Sequence, residues 1–226
     1  MDLPLDFSLY LDRIAYKGDL QPTLENLRAL QRQHLLEVPF ENLSIHYGRP
    51  IVLKIERLFG KIVGTRRGGF CYEVNGLFSA LLAHLGYRTK LVSARVWSTD
   101  RQVYSPDFDH LAILVELPEG EYVVDVGFGE FALGPLWLVV GEEQMDERGI
   151  FVLDRMGEGH WRICKQKNGG LRPEYIFDPK PRRLTEFDAR CFFHQTNPTS
   201  HFLEKPMISR ATALGRVTQT SQSLKI

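Results

Sequence analysis

Three residues whose types could carry acyl chemistry stand along the chain in the order Cys71, His110, Asp125. Cys71 lies in Arg66-Arg67-Gly68-Gly69-Phe70-Cys71-Tyr72-Glu73-Val74-Asn75, where paired glycines lead into a cysteine at the predicted start of a helix. A thiol reacts as its thiolate, and the unpaired N–H groups and dipole of a helix N-terminus favour that charge, as do neighbouring cations. The same N–H groups could stabilise an oxyanion. A lone cysteine is also, in most proteins, a small buried hydrophobe. The nucleophilic alternative needs an imidazole in contact with the sulfur and a third group orienting it, partners that adjoin in space rather than in sequence.

His110 begins the apolar run Leu111-Ala112-Ile113-Leu114-Val115, and Asp125 interrupts Tyr122-Val123-Val124-Asp125-Val126-Gly127. The turn Pro118-Glu119-Gly120 between them predicts a hairpin. An ionised carboxylate in a buried strand is costly unless paired, so a histidine on the neighbouring strand is one partner for Asp125. Capping the turn Gly127-Phe128-Gly129 is the other. Nucleophile, proton acceptor and orienting carboxylate make a triad carried by a thiol, an order that suits a cysteine protease or a transglutaminase equally well.

Around these residues the chain changes period once. Phe7, Tyr10, Leu11 and Ile14 share a helical face, and Leu24, Leu27, Leu30 and Leu35 mark a second helix with Thr23 as its N-cap. A third is expected over Ile55 to Val63, ending at Gly64, and a fourth from Cys71 to a glycine stop at Gly86. Beyond Gly86 come strand patterns at Lys90 to Trp97, Leu111 to Leu117, Tyr122 to Val126, Gly149 to Leu153, Trp161 to Lys165 and Glu174 to Phe177. Thr185 opens a short helix toward Phe193, Asn197-Pro198-Thr199-Ser200 reads as a loop, and one last strand-like stretch follows. Helices followed by strands imply an α+β protein: an N-terminal helical bundle and a small antiparallel sheet or barrel.

Composition narrows the partners. The chain has 226 residues, 43% hydrophobic and 25% charged, enough for a real core without covalent staples. Lys plus Arg and Asp plus Glu are both 28, giving no net charge to attract a polyanion. The basic groups Arg66-Arg67 and Lys180-Pro181-Arg182-Arg183 are too short for a nucleic-acid footprint. Cysteine occurs only at positions 71, 164 and 191, without a Cys-x-x-Cys pair, and His34, His46, His84, His160, His194 and His201 show no ligand spacing, so neither a disulfide framework nor a metal is expected. Met1-Asp2-Leu3-Pro4-Leu5-Asp6 lacks the marks of a signal peptide, and no stretch is apolar enough for a bilayer, which predicts a cytoplasmic protein.

Several separated motifs resemble the arylamine N-acetyltransferase family: Val38-Pro39-Phe40-Glu41-Asn42-Leu43, the Arg67 to Asn75 segment, Asp109-His110-Leu111, Val124-Asp125-Val126-Gly127-Phe128-Gly129 and Asn197-Pro198-Thr199-Ser200-His201-Phe202, spread from about Tyr10 to about Val217. The resemblance implies a helical bundle over residues 1–88, an antiparallel β-barrel over 89–184 and an α/β lid begun by 185–226. Family members usually continue for several dozen residues past Ile226, so the lid is expected to be truncated. It implies acetyl-coenzyme A as co-substrate and an arylamine or hydrazine as acceptor, with ping-pong transfer through an acetyl-cysteine, as in xenobiotic metabolism. Cys71 would be the nucleophile, His110 its proton partner and Asp125 the orienter. Gly127, Phe128, Gly129 and Thr199 would meet the cofactor, and Phe70 and Phe128 the arylamine ring. Glu41 and Arg67 would form a buried ion pair beneath the site, with Asn75 supporting that network.

Three other outcomes fit the same motifs. A macrolactam-forming amide synthase of this family would use the triad on a bulky or carrier-bound thioester. A papain-like hydrolase or transglutaminase would share the Cys, His, acid order, although Phe70-Cys71-Tyr72-Glu73 lacks the cathepsin-type Cys-Gly-Ser-Cys-Trp surroundings. A member with a shortened lid could be folded yet inactive, or serve only to bind.

Overall fold

The computed structural model describes residues 5–226; Met1–Pro4, the first residues of the segment searched for a targeting signal, lie outside the described residues. α1 (Phe7–Arg13) is capped by the Asp6 side chain, which accepts from Ser8 N–H, and α2 (Leu24–Glu37) by Thr23, which accepts from Asn26 N–H as its position predicted. A two-residue strand, β1 (Phe40–Glu41), and a single turn, α3 (Leu43–His46), follow. The helix expected over 55–63 is there, but its winding changes: α4 (Ile55–Phe59) gives way to a π-turn at Gly60–Gly64. α5 (Cys71–His84) is the axis of this half. Its first nine residues are all buried, among Tyr10, Ile14, Leu30, Leu58 and Ile62. The first half of this helix is thus surrounded by protein on every side, its polar Glu73 and Asn75 included.

Nine antiparallel strands come next: β2 (Arg88–Ser98), β3 (Val103–Tyr104), β4 (His110–Leu117), β5 (Gly120–Val124), β6 (Leu136–Trp137), β7 (Glu143–Asp146), β8 (Gly149–Arg155), β9 (Trp161–Lys167) and β10 (Gly170–Phe177). Their order is β6-β5-β4-β2-β10-β9-β8-β7, with β3 attached to β2. The unbroken apolar run of β4 has a simple cause. Leu111, Ile113 and Val115 point into the helical core, while Ala112 and Leu114 point into a second core holding Phe151, Tyr175 and Phe177. A strand buried on both faces cannot alternate.

The sheet nearly closes into a barrel, and a side chain spans the remaining gap. Trp137 N–H on β6 donates to Gln144 Oε1 on β7 at 2.7 Å, and Gln144 Nε2 donates to Trp137 O at 2.8 Å. The amide thus imitates one rung of a ladder between the two end strands. Replacing Gln144 by Ala is expected to cost about 1 kcal/mol, two exposed hydrogen bonds' worth, read as a lower urea midpoint at unchanged m-value.

The last segment departs from expectation. After a 3₁₀ turn (Leu184–Phe187) and α6 (Asp188–Thr196), three strands form where one was expected: β11 (Met207–Ala211), β12 (Arg216–Thr220) and β13 (Leu224–Lys225). They build a four-stranded sheet in the order β1-β11-β12-β13, in which Phe40 faces Ser209 and Glu41 faces Ile208. One edge strand of this sheet therefore comes from the N-terminal third. Among the described residues, no helix is long and apolar enough to cross a membrane.

Candidate active site

The approach to Cys71 is built from backbone. Gly69 N–H donates to Pro39 O and Glu41 N–H donates to Gly69 O, so the segment before α5 runs alongside β1. A Cβ on Gly68 would lie 1.9 Å from the Pro39 carbonyl oxygen, and only glycine permits that approach. Beneath it sit two buried carboxylates sharing cations. Arg67 Nη2 contacts Glu41 Oε1 at 2.7 Å, and Lys61 Nζ contacts the same oxygen at 3.3 Å and Glu73 Oε2 at 2.8 Å. The expected Glu41–Arg67 pair is therefore present, extended by Lys61. Burial raises the Glu73 pKa, and Lys61 opposes that shift. Glu73 Oε2 also accepts from Phe70 N–H at 3.1 Å, which serves one of the orphan donors at the start of α5.

Cys71 itself is 3% exposed, and burial pushes its thiol well above the ordinary range, helped by the Asp109 and Asp125 carboxylates. Burial therefore works against the thiolate that a helix N-terminus favours. Desolvation outweighs the dipole here, so ionisation has to be coupled to a group that takes the proton.

That group stands at the mouth of β4. In the β4–β5 register Ile113 faces Val124; continued outward, Gly127 falls opposite His110 and Asp125 falls diagonal to it on the same face. His110 Nε2 meets Asp125 Oδ2 at 2.6 Å, both groups being buried. Asp125 Oδ1 accepts from Gly127 N–H at 2.8 Å and from Asn75 Nδ2 at 2.9 Å. The two roles open to Asp125 on sequence, histidine partner and cap of the glycine turn, are filled at once by its two oxygens. Nε2 being committed, Nδ1 is the ring nitrogen left for the thiol.

Asn75 corrects an expectation. It does not join the Glu41–Arg67 network; besides Asp125 it donates to Leu111 O at 2.7 Å, and its Oδ1 accepts from Val126 N–H at 2.8 Å. Cys71 and Asn75 lie one helical turn apart on α5, so the helix that carries the sulfur also braces the carboxylate. Tyr72 OH, bonded to Phe108 O at 2.7 Å and Asp109 O at 3.1 Å, clamps the backbone just before His110. There Phe108 adopts φ +62°, a left-handed conformation uncommon for a bulky residue.

Cys71, His110, Gly127, Phe128 and Gly129 all line one cavity of about 370 Å³, together with Phe202 and Arg216. Phe128 lies edge-on to His110, with centroids 5.2 Å apart. Phe70 is not in the wall: it is fully buried, edge-on to Tyr72 and Phe202, and belongs to the core. Thr199 is exposed, bonds to Asn197 Oδ1 through its N–H and hydroxyl, and lines a neighbouring cleft that shares Asp109 and His201 with the first. Absent from the sequence reading were Tyr72 as a clamp, Arg216 in the wall, and a cluster of Asp109, Arg190 and His194 next to His110. The one signal for that cluster is a second acid directly before His110, at the edge of an apolar run.

A family model described as N-acetyltransferase matches residues 23–226. Arylamine N-acetyltransferase, pineal gland isozyme NAT-3, of Gallus gallus is 36% identical over 93% of this chain and 79% of its own length. The arylamine N-acetyltransferase of Mycolicibacterium smegmatis is 34% identical over 99% of this chain and 83% of its own. The structure of Mycobacterium marinum arylamine N-acetyltransferase in complex with CoA superposes with a TM-score of 0.89 at 34% identity, covering 97% of this chain and 82% of that one. Fold, motifs and relatives agree: the chain belongs to the arylamine N-acetyltransferase family of acyltransferases.

Proposed function

We propose that this chain transfers an acetyl group from acetyl-coenzyme A to an arylamine or hydrazine in two steps through acetyl-Cys71. The observation that carries the reading is one cavity holding a thiol at the start of a buried helix and an imidazole whose Nε2 is locked 2.6 Å from Asp125. In the first step the Cys71 proton moves to His110, and the thiolate adds to the thioester carbonyl. The carbon–sulfur bond to coenzyme A then breaks, and the His110 proton leaves on the departing thiol. In the second step the amine attacks acetyl-Cys71, His110 takes the amine proton, and the Cys71 thiolate is expelled beside the imidazolium. Asp125 holds the tautomer and steadies the imidazolium in both.

The cavity, at about 370 Å³, has room for an acyl thioester arm or a small aromatic amine in turn, and the rings of Phe128 and Phe202 offer the latter an apolar wall. The backbone of Gly127 to Gly129 borders the same space and is the natural rest for the thioester arm. Likeness to the mycobacterial protein solved with CoA supports the choice of donor.

The test is single-turnover labelling by acetyl-coenzyme A bearing a labelled acetyl group, followed by addition of an aniline. Stoichiometric label on Cys71 that moves to the amine, none on a Cys71→Ala chain, and parallel-line steady-state kinetics are expected. Label retained by Cys71→Ala, or none on the folded native chain, overturns the proposal.

A further inference from the structure

Beside His110 lies a second carboxylate that the proposed reaction does not use. Asp109 lines the same cavity as Cys71 and His110, its side chain 10% exposed. Besides a hydrogen bond from nearby Ser105, the groups that compensate its charge come from α6, more than 80 residues away. Arg190 donates to Asp109 Oδ1 through both Nε, at 2.7 Å, and Nη2. His194 Nε2 reaches the same oxygen at 3.0 Å, while His194 Nδ1 meets Ser200 Oγ at 3.1 Å. The His194 side chain is 2% exposed, and Arg190 stacks on the Phe193 ring at 4.1 Å. Tyr72, the residue after the sulfur, bonds the Asp109 backbone carbonyl.

We propose that Arg190, whose charge neutralises Asp109, and His194, which holds the same oxygen by a hydrogen bond, set the reactivity of Cys71, so that the Cys71–His110 pair meets one uncompensated carboxylate, Asp125, rather than two. An unscreened negative charge beside a thiol and an imidazole makes every proton there harder to remove. Burial works against the Asp109 charge, yet His194 and Arg190 hold its carboxyl well below the usual range, so the charge is permanent and has to be screened. The other ionisable groups around the sulfur are His110, Asp125, Tyr72 on its own helix and Cys191 on α6, with Glu130, His201 and Arg216 in the cavity wall. None of these carboxylates but Asp109 is bonded to α6. Arg190 and His194 are thus positioning residues: they touch the reacting groups only through Asp109.

This inference rests on Cys71 being the nucleophile, and its test needs no acyl donor. The alkylation rate of Cys71 by iodoacetamide is followed against pH by mass spectrometry, with Cys164 and Cys191 as internal references. Asp109→Asn is expected to move the acidic limb of the Cys71 profile down by about one pH unit, and Arg190→Gln to move it up by about one, roughly tenfold in rate on the limb in opposite directions. Arg190→Lys, which keeps the charge and loses the fork, should leave the limb near its native position. A purely structural role would move Asp109→Asn and Arg190→Gln the same way, through disorder of His110. Shifts of one sign, or an unmoved limb in chains with native thermal transitions, overturn the proposal while leaving the acyl-transfer reading intact. A native Cys71 that alkylates no faster than Cys164 and Cys191 overturns both.

Discussion

Asparagine in place of Asp125 is expected to lower kcat/KM for acetyl transfer by about 10³- to 10⁴-fold while leaving the fold in place. The reason lies in which oxygen serves which donor. Asp125 Oδ1 accepts two fixed donors, Gly127 N–H and Asn75 Nδ2, so the carbonyl of the new amide must take that position. Its NH₂ then faces His110 Nε2, where a carboxylate oxygen stood at 2.6 Å. A donor facing Nε2 forces the ring to carry its proton on Nδ1, the only nitrogen left for the thiol. Cys71 then has nowhere to send its proton, and burial holds it as a thiol. Two measurements separate this from unfolding: a thermal transition within a few degrees of native, and Cys71 alkylation at neutral pH slowed in parallel with turnover. Activity within tenfold of native would show that the tautomer is set some other way.

How much of this could be read from the chain depends on the range of the contacts involved. Thr23 as a cap, the 111–126 hairpin and the placing of Cys71 at a helix start are settled by neighbours a few residues apart, and local pattern predicts them. The C-terminal sheet was not legible for a physical reason. Met207–Ala211 and Arg216–Thr220 are mostly half-buried and polar, without apolar alternation, and the first of them pairs across to a two-residue strand at Phe40–Glu41. The same holds for the site. Nothing near Asp109 in sequence points to Arg190 or His194, and nothing near Asn75 points to Leu111 or Asp125; both links exist only once α5 and α6 are laid against β4. Phe70 misled for the opposite reason. Phe70 is the extended residue just before α5 rather than part of the helix, and its ring enters the core against Tyr72 and Phe202 instead of the wall beside the sulfur.

Gly127→Ala is expected to be the most damaging change at the site that alters no reacting group. Its Cβ would lie 2.8 Å from Cys71 Cα, 2.9 Å from Asn75 Nδ2 and 3.0 Å from Val74 Cγ2. None of these can yield cheaply. Cys71 Cα is backbone at the first turn of a helix buried on all sides, and Asn75 Nδ2 is spent on Asp125 and Leu111. The methyl group therefore separates α5 from the loop after β5, the two elements that bring Cys71 to His110 and Asp125. Overpacking of this kind costs about 2 to 3 kcal/mol in stability, and a displacement near 1 Å between reacting groups costs roughly 10²-fold in rate. The expected signature is a fall in kcat larger than the stability loss explains, with Asp125 still bonded to His110 because Gly127 N–H can continue to donate to Asp125. A variant with native kcat would mean that α5 and the glycine turn approach each other less closely than 2.8 Å implies.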